Sequence, residues 1–349
     1  MYSESDLQSA VAAGVLPADT ADALRAHVTG MRNAPVADEE HFRLVTGFND
    51  IFVTIAAIIL LVAVAGIGQS ITDALAGAFV AIAAWGLAEF FTLKRRMALP
   101  SIVLLLAFTG GVAAALGAGI ENSVGDDLEG RTGTLMVGAV ALVTAFATWL
   151  HWRRFQVPIT VAAGTAAVAA TVVALILAAI NPSEEMREQT AMAIVLIAGL
   201  AVFAVAMRWD MSDRSRETRR SDVAFWLHLL AAPMIAHPLF WILGVTQGEA
   251  IGAGAAFGMV AVYVAMGLVA LAIDRRALLV SALAYVLVAL TFLFQQFGVV
   301  ELNMALTALV IGSALLTLSA FWSPIRRFVV DKLPGSLQVK LPVTHLATA

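Results

Sequence analysis

The chain contains no cysteine, which excludes a disulfide framework, a thiolate nucleophile, Cys-ligated zinc, an iron–sulfur cluster and a CxxCH haem attachment. Charge is almost as scarce. Asp, Glu, Lys and Arg make up 13% of the 349 residues, against about 25% in a soluble domain. The phosphate-cradling GxxxxGK[ST], the zinc-binding HExxH and the nucleophile-elbow GxSxG patterns are all missing. No catalytic residue, cofactor or metal is therefore assigned. The basic residues are spread over many short turns and form no single interleaved surface, which excludes nucleic acid as a partner. The opening MYSESD is acidic where a secretory signal is basic, and no apolar run begins before residue 51, so the N-terminus is expected in the cytosol.

What is abundant is apolar: 60% of residues are hydrophobic. One span of a bilayer takes about 20 such residues. Apolar runs bounded by charged or Gly/Pro-marked breaks predict ten spans, at 51–69, 73–93, 99–119, 134–150, 158–180, 190–208, 222–246, 250–272, 277–297 and 302–322. The basic residues test this count independently. With a cytosolic N-terminus, nineteen of the 21 fall on the cytosolic side, and only Arg131 and Arg187 fall outside. A missed span would invert every later turn and destroy that asymmetry. The expected fold is an all-α polytopic transmembrane bundle of about ten spans with both termini cytosolic. Residues 1–45 form a small cytosolic helical segment and linker, 46–324 the membrane domain, and 325–349 a cytosolic tail. In the first segment Gly14 is placed to end one short helix, and Pro17, Asp19 and Thr20 to start another.

Three turns share a pattern: KRRMALPSIV, WRRFQVPITV and DRRALLVSAL. Convergence on tight basic turns explains it, and so does a parallel duplication relating spans 1–3 to spans 7–9. Trp149, Trp152, Trp209 and Trp322 fall at cytosolic span ends and read as interfacial anchors. In the acidic outer loop, Glu121, Asp126, Asp127 and Glu129 lack calcium-loop spacing and read as a solvated connection.

Span 7, SDVAFWLHLLAAPMIAHPLFWILGV, is the most unusual stretch. It holds Pro233 and Pro238, the only prolines inside a span beyond its first turn, with His228 and His237, the only histidines predicted at membrane depth. Each proline removes a donor from the carbonyl four residues earlier, at Leu229 and Met234, which predicts a kinked or opened helix. Two readings stay open for the histidines: a substrate or proton site at a broken helix, or hydrogen bonding between helices. A bis-histidine haem on one helix is excluded, because nine residues turn the two side chains about 180° apart. Glu89 is the only acid in the interior of a span, either a site residue or an ion pair with Arg95 or a neighbouring turn. Asp50 and Asp222, at the starts of spans 1 and 7, suit the positive helix end and rank below these. Gln295, Gln296 and Asn303 sit near the outer half. Arg214, Arg216, Arg219 and Arg220 form a cluster suited to anionic lipid headgroups.

A short helical pair followed by FRLVTGFNDIF and hairpins such as WGLAEFFTLKRRMALPSIVLL resembles uncharacterised bacterial predicted-membrane-protein families of unknown function. The resemblance implies a bacterial inner-membrane location and carries over no site residues. Two functions are expected: a permease or channel for a small solute or ion, with His228, His237 and Glu89 lining a path beside Pro233 and Pro238; or a non-catalytic scaffold or accessory subunit, homo-oligomeric or bound to a partner through its cytosolic segments.

Overall fold

The computed structural model describes residues 9–24, 48–124, 130–214, 216, 218–244, 252–296 and 303–342. They fall into two compact units, one from the N-terminal segment and one from 44 to 344. In the first, helical turns at 9–12 and 18–24 flank Gly14. Gly14 takes φ +71°, its N–H donates to Val11, and the Val15 N–H reaches back to Ala10. This is a Schellman closure, which needs a left-handed residue that glycine supplies without strain. The Pro17 carbonyl then accepts from Ala21 to open the next helix.

The second unit is all-helical among its described residues. Its helices are α1 (Phe48–Gln69), α2 (Asp73–Ala88), α3 (Ala98–Val124), α4 (Gly130–Phe155), α5 (Pro158–Ile180), α6 (Glu184–Ser212), α7 (Arg219–Ile242), α8 (Ala253–Ile273), α9 (Ala277–Gln296), α10 (Asn303–Ala320), α11 (Trp322–Asp331) and a single turn, α12 (Gly335–Gln338). Eight of these are long and apolar enough to cross a membrane: α1, α2 with its π-helical extension Glu89–Lys94, and α3 to α8. The apolar stretch of α9, Leu278–Phe294, is shorter, and α10 and α11 meet at a 77° bend. The bend has a local cause. Pro324 has no N–H and crowds the Ala320 carbonyl, which favours ending α10 at Ala320, and the chain restarts at Trp322 with the proline in the first turn of α11. The tail expected from 325 therefore begins inside a helix.

Tight connections fold successive helices back on one another, and α2/α3, α4/α5, α6/α7 and α8/α9 pack as hairpins. Between α2 and α3, Gly77 and Gly111 allow backbone contact: a Cβ on Gly77 would lie 2.4 Å from the Ala115 nitrogen. Small residues permit such approach where burial of apolar surface offers no drive inside a lipid phase. Several threonine hydroxyls are satisfied within their own helices, as when Thr148 donates to the Thr144 carbonyl and Thr54 to that of Asp50. Large apolar side chains such as Phe52, Ile59, Val62, Ile82 and Phe146 are exposed.

Central in the second half is α7, which buries 56% of its apolar stretch where the other seven long helices bury 22–39%. One face, with Leu227, Ala231 and Ile235, packs on α5 and α6. The other, with Ala232, Ala236 and Phe240, packs on α8 and α9. A separate core joins α1, α2 and α3 through Ala57, Ala84 and Leu104, with Phe155 of α4.

In place of a break, α7 runs as one helix through both Pro233 and Pro238. Gly199 of α6 lies against this segment, and a Cβ there would stand 2.9 Å from the Met234 carbonyl carbon and 3.0 Å from its oxygen. That carbonyl is the one Pro238 deprives of its donor. The missing side chain makes room for it.

Candidate functional site

At the end of the bundle that carries the basic turns, α6 finishes with RWDMS. Asp210 lies in that last turn, where the helix dipole disfavours an anion, and it is buried. Its partners come from other helices. Nε2 of His228, on α7, lies 2.8 Å from Oδ2. From the α8–α9 turn, Arg275 donates Nη2 to Oδ1 at 2.5 Å and Nε to Oδ2 at 3.3 Å. The same Nη2 reaches the Ser221 carbonyl and hydroxyl at 3.2 and 3.3 Å. The Nδ1 atom of His228 is buried with no hydrogen-bond partner, and the ring stands edge-on to Phe203.

Beside this cluster, Asp274 caps α8 in the left-handed conformation, φ +58°, which Asp tolerates better than most residues. Its carboxylate accepts from Arg216 Nη1 at 2.8 Å and Trp322 Nε1 at 2.6 Å. Arg326 Nε stands 3.6 Å from the same carboxylate. Arg216 also donates Nη2 to the Ile273 and Asp274 carbonyls. Burial, reinforced by Arg275, holds the Arg216 pKa below that of a free guanidinium, and Asp274 opposes the shift; arginine stays charged throughout. Asp213 accepts from the Thr218 N–H and hydroxyl and so shapes the α6–α7 turn. Two contacts bind the tail: Arg326 to the Pro342 carbonyl and Arg214 to that of Leu341.

Arg275 thus faces Asp210, and Arg216 and Arg326 face Asp274, in a largely buried ionic assembly with Asp213 shaping the adjoining turn. It fastens α6, α7, the α8–α9 turn, α11 and the tail to one another. Removing one partner from such a pair costs about 3–5 kcal/mol, because the other is left charged and uncompensated.

The residues singled out in the sequence go to three separate places. His228 joins the Asp210 cluster. His237 pairs through Nδ1 with the Tyr285 hydroxyl of α9 at 2.6 Å, and Tyr285 stacks on Phe240. Glu89, in the π-helical extension of α2, accepts a two-pronged bond from Arg154 at 2.8 and 2.7 Å, and both side chains are partly exposed. The neighbouring turn, not Arg95, supplies the cation. Pro238 is buried and Pro233 exposed on α7. Asp222 stands half-buried in the first turn of α7, and Asp50 is buried in the first turn of α1.

Of the four arginines expected to meet headgroups, Arg216 is turned inward onto Asp274, whereas Arg214, Arg219 and Arg220 are exposed. Trp322 departs from its reading as an anchor: it is buried and serves as a donor, with Arg276 over its ring. Trp149 is exposed beneath Arg153. His151, which is not among the histidines expected at membrane depth, is buried in α4 among the rings of Trp85, Phe108 and Phe155, and neither of its nitrogens has a hydrogen-bond partner. Asp126, Asp127 and Glu129 lie outside the described residues, as do the side chains of Gln295, Gln296 and Asn303.

Of this assembly, Arg275 and Arg326 were read only as markers of topology, Arg216 as a headgroup contact and Trp322 as an anchor, and Asp210 and Asp274 were not singled out. The available signal was that Asp210, Asp213, Asp222 and Asp274 are acids set in otherwise basic turns. Among the described residues no three His, Asp or Glu side chains group as a metal site. Comparison with family models, curated proteins and solved structures gives no match.

Proposed function

We propose that the chain is a ten-span protein of a bacterial inner membrane with both ends in the cytosol, and that it serves as a non-catalytic scaffold or accessory subunit. α9 and the bent α10–α11 pair supply the two spans beyond the eight long helices. The ionic assembly around Asp210 and Asp274 carries this reading. It holds the ends of α6 to α9, α11 and the tail in one fixed arrangement, which suits a preformed docking platform, with Arg214, Arg219 and Arg220 exposed beside it for headgroups or a partner. The N-terminal segment is the second cytosolic element available to a partner. Crosslinking in native membranes followed by affinity recovery tests the reading: a partner held by the full chain is lost when residues 1–45 are deleted and weakened by Asp274→Asn. Equal recovery from all three overturns it.

A permease is the second reading, favoured by one observation. A crevice of about 990 Å³ between α4, α5, α6 and α7 reaches Leu230 and Met234 of the proline-bearing helix. None of His228, His237 and Glu89 lines that crevice, so in this reading the path is the crevice itself, beside Leu230 and Met234. Flux of a candidate solute into proteoliposomes tests it: Met234→Trp, which fills the crevice wall, lowers the flux, and unchanged flux overturns this reading.

A further inference from the structure

We infer that this crevice holds one diacyl phospholipid with a primary-ammonium headgroup, its phosphate on Arg187 and its ammonium on Glu184. The walls are apolar, formed by residues such as Val137, Ala166, Val173 and Leu177. A void of that character inside a bilayer stays dry, so hydrocarbon is its natural content. Depth sets the scale. From Glu184 to Val195 on α6, and from Leu177 to Ala166 on α5, is eleven residues each. At 1.5 Å per residue this is about 16 Å, matching one leaflet, roughly half of a 30 Å hydrocarbon core. A second crevice of about 750 Å³ between α3, α4 and α5 shares Val137, Ala166 and Ala170 with the first. Two channels that meet along one wall suit the two chains of one lipid.

The rim supplies the headgroup chemistry. Arg187 donates to Glu184 at 2.9 and 3.2 Å and to the Thr134 hydroxyl at 3.2 Å. The Glu184 side chain is 79% exposed. Arg187 is partly buried, its side chain 23% exposed; a pair open to solvent on its acidic side contributes little and exchanges for a bidentate phosphate contact, which is stronger. The freed carboxylate then meets an ammonium. The sequence adds an independent observation: Arg131 and Arg187, in the first turns of α4 and α6, are the only two basic residues assigned to this end of the bundle. Basic residues are disfavoured on the translocated side, yet both exceptions lie on helices that form this crevice. The argument from the two exceptional arginines and the choice of the outer leaflet rest on the orientation proposed above; the crevice and its rim pair do not.

Native mass spectrometry of the full chain in detergent, with phosphatidylethanolamine, phosphatidylglycerol or phosphatidylcholine added, tests the inference. One phosphatidylethanolamine is retained per chain, and Arg187→Gln or Ala170→Phe each lowers retention about tenfold, the scale of a lost charge-assisted contact. Gly86→Ala, in open space, leaves it unchanged. Thermal melting without lipid shows that the variants are folded, and Arg187→Lys recovers part of the binding. Equal retention of phosphatidylglycerol, or retention insensitive to Ala170→Phe, overturns the inference. So does a dimer that Ala170→Phe dissociates, since a second copy is then the occupant. A reversed orientation, detected by labelling Arg131→Cys, moves the site to the other leaflet and leaves the binding result intact.

Discussion

Arg275 brackets Asp210 across the basic end of the bundle, Nη2 on one carboxylate oxygen at 2.5 Å and Nε near the other at 3.3 Å. Sixty-five residues separate the two in sequence. Such a pair stabilises only while both partners are present, because desolvation of each charge nearly cancels their attraction.

Asp210→Asn leaves Arg275 buried and unbalanced, and we expect destabilisation of about 3–5 kcal/mol, seen as a lower melting temperature by intrinsic tryptophan fluorescence in detergent. The double variant Asp210→Leu with Arg275→Met recovers most of the loss, since it removes both charges. An unchanged melting temperature for the single variant shows that the pair does not hold the helices.

Gly199→Ala places a methyl group 2.9 Å from the Met234 backbone between the two prolines. Overpacking of this kind costs about 1–3 kcal/mol. Gly110→Ala, which meets nothing within 4 Å, serves as the control. Equal melting temperatures for the two variants mean that α6 and α7 part easily at this crossing.

His151→Phe replaces two unpartnered buried nitrogens with a ring suited to the Trp85, Phe108 and Phe155 surroundings. A buried polar group without a partner costs about 1–3 kcal/mol, so the variant melts at the same temperature or higher. A clear drop indicates that His151 serves a bound group or a proton.

Absence of native cysteine makes topology directly testable. With a membrane-impermeant maleimide on intact cells, Arg131→Cys is labelled, while Arg95→Cys reacts only after permeabilisation. The reverse pattern overturns the proposed orientation.

Much of the helical layout was legible in the sequence because apolar run length depends on composition and bilayer thickness alone. Pro100 and Pro158 fall in first turns in the structure, and Gly14 closes its short helix with positive φ, since these are local backbone constraints. The ten residues of α11 were missed because they are too short and too mixed to stand out as a span. At Pro233 and Pro238 the expectation of an opened helix followed from local donors only, and the matching Gly199 on another helix was invisible to it. The three Arg-Arg turns look alike in sequence, yet Arg154 bonds Glu89, Arg95 lies over Phe90 and Arg275 is buried on Asp210. Pairing of that kind depends on what each turn meets across the bundle.

By itself, then, the sequence determined an apolar, cysteine-free, helical chain with a strong bias in its basic residues, because hydropathy, propensity and charge count act over a few neighbouring positions. Only the tertiary structure decided that His228, His237 and Glu89 have three different partners, and that Asp210 and Asp274 gather the arginines of distant turns. The energy of a buried charge depends on groups brought within about 4 Å of it, and that proximity exists only once the helices have packed.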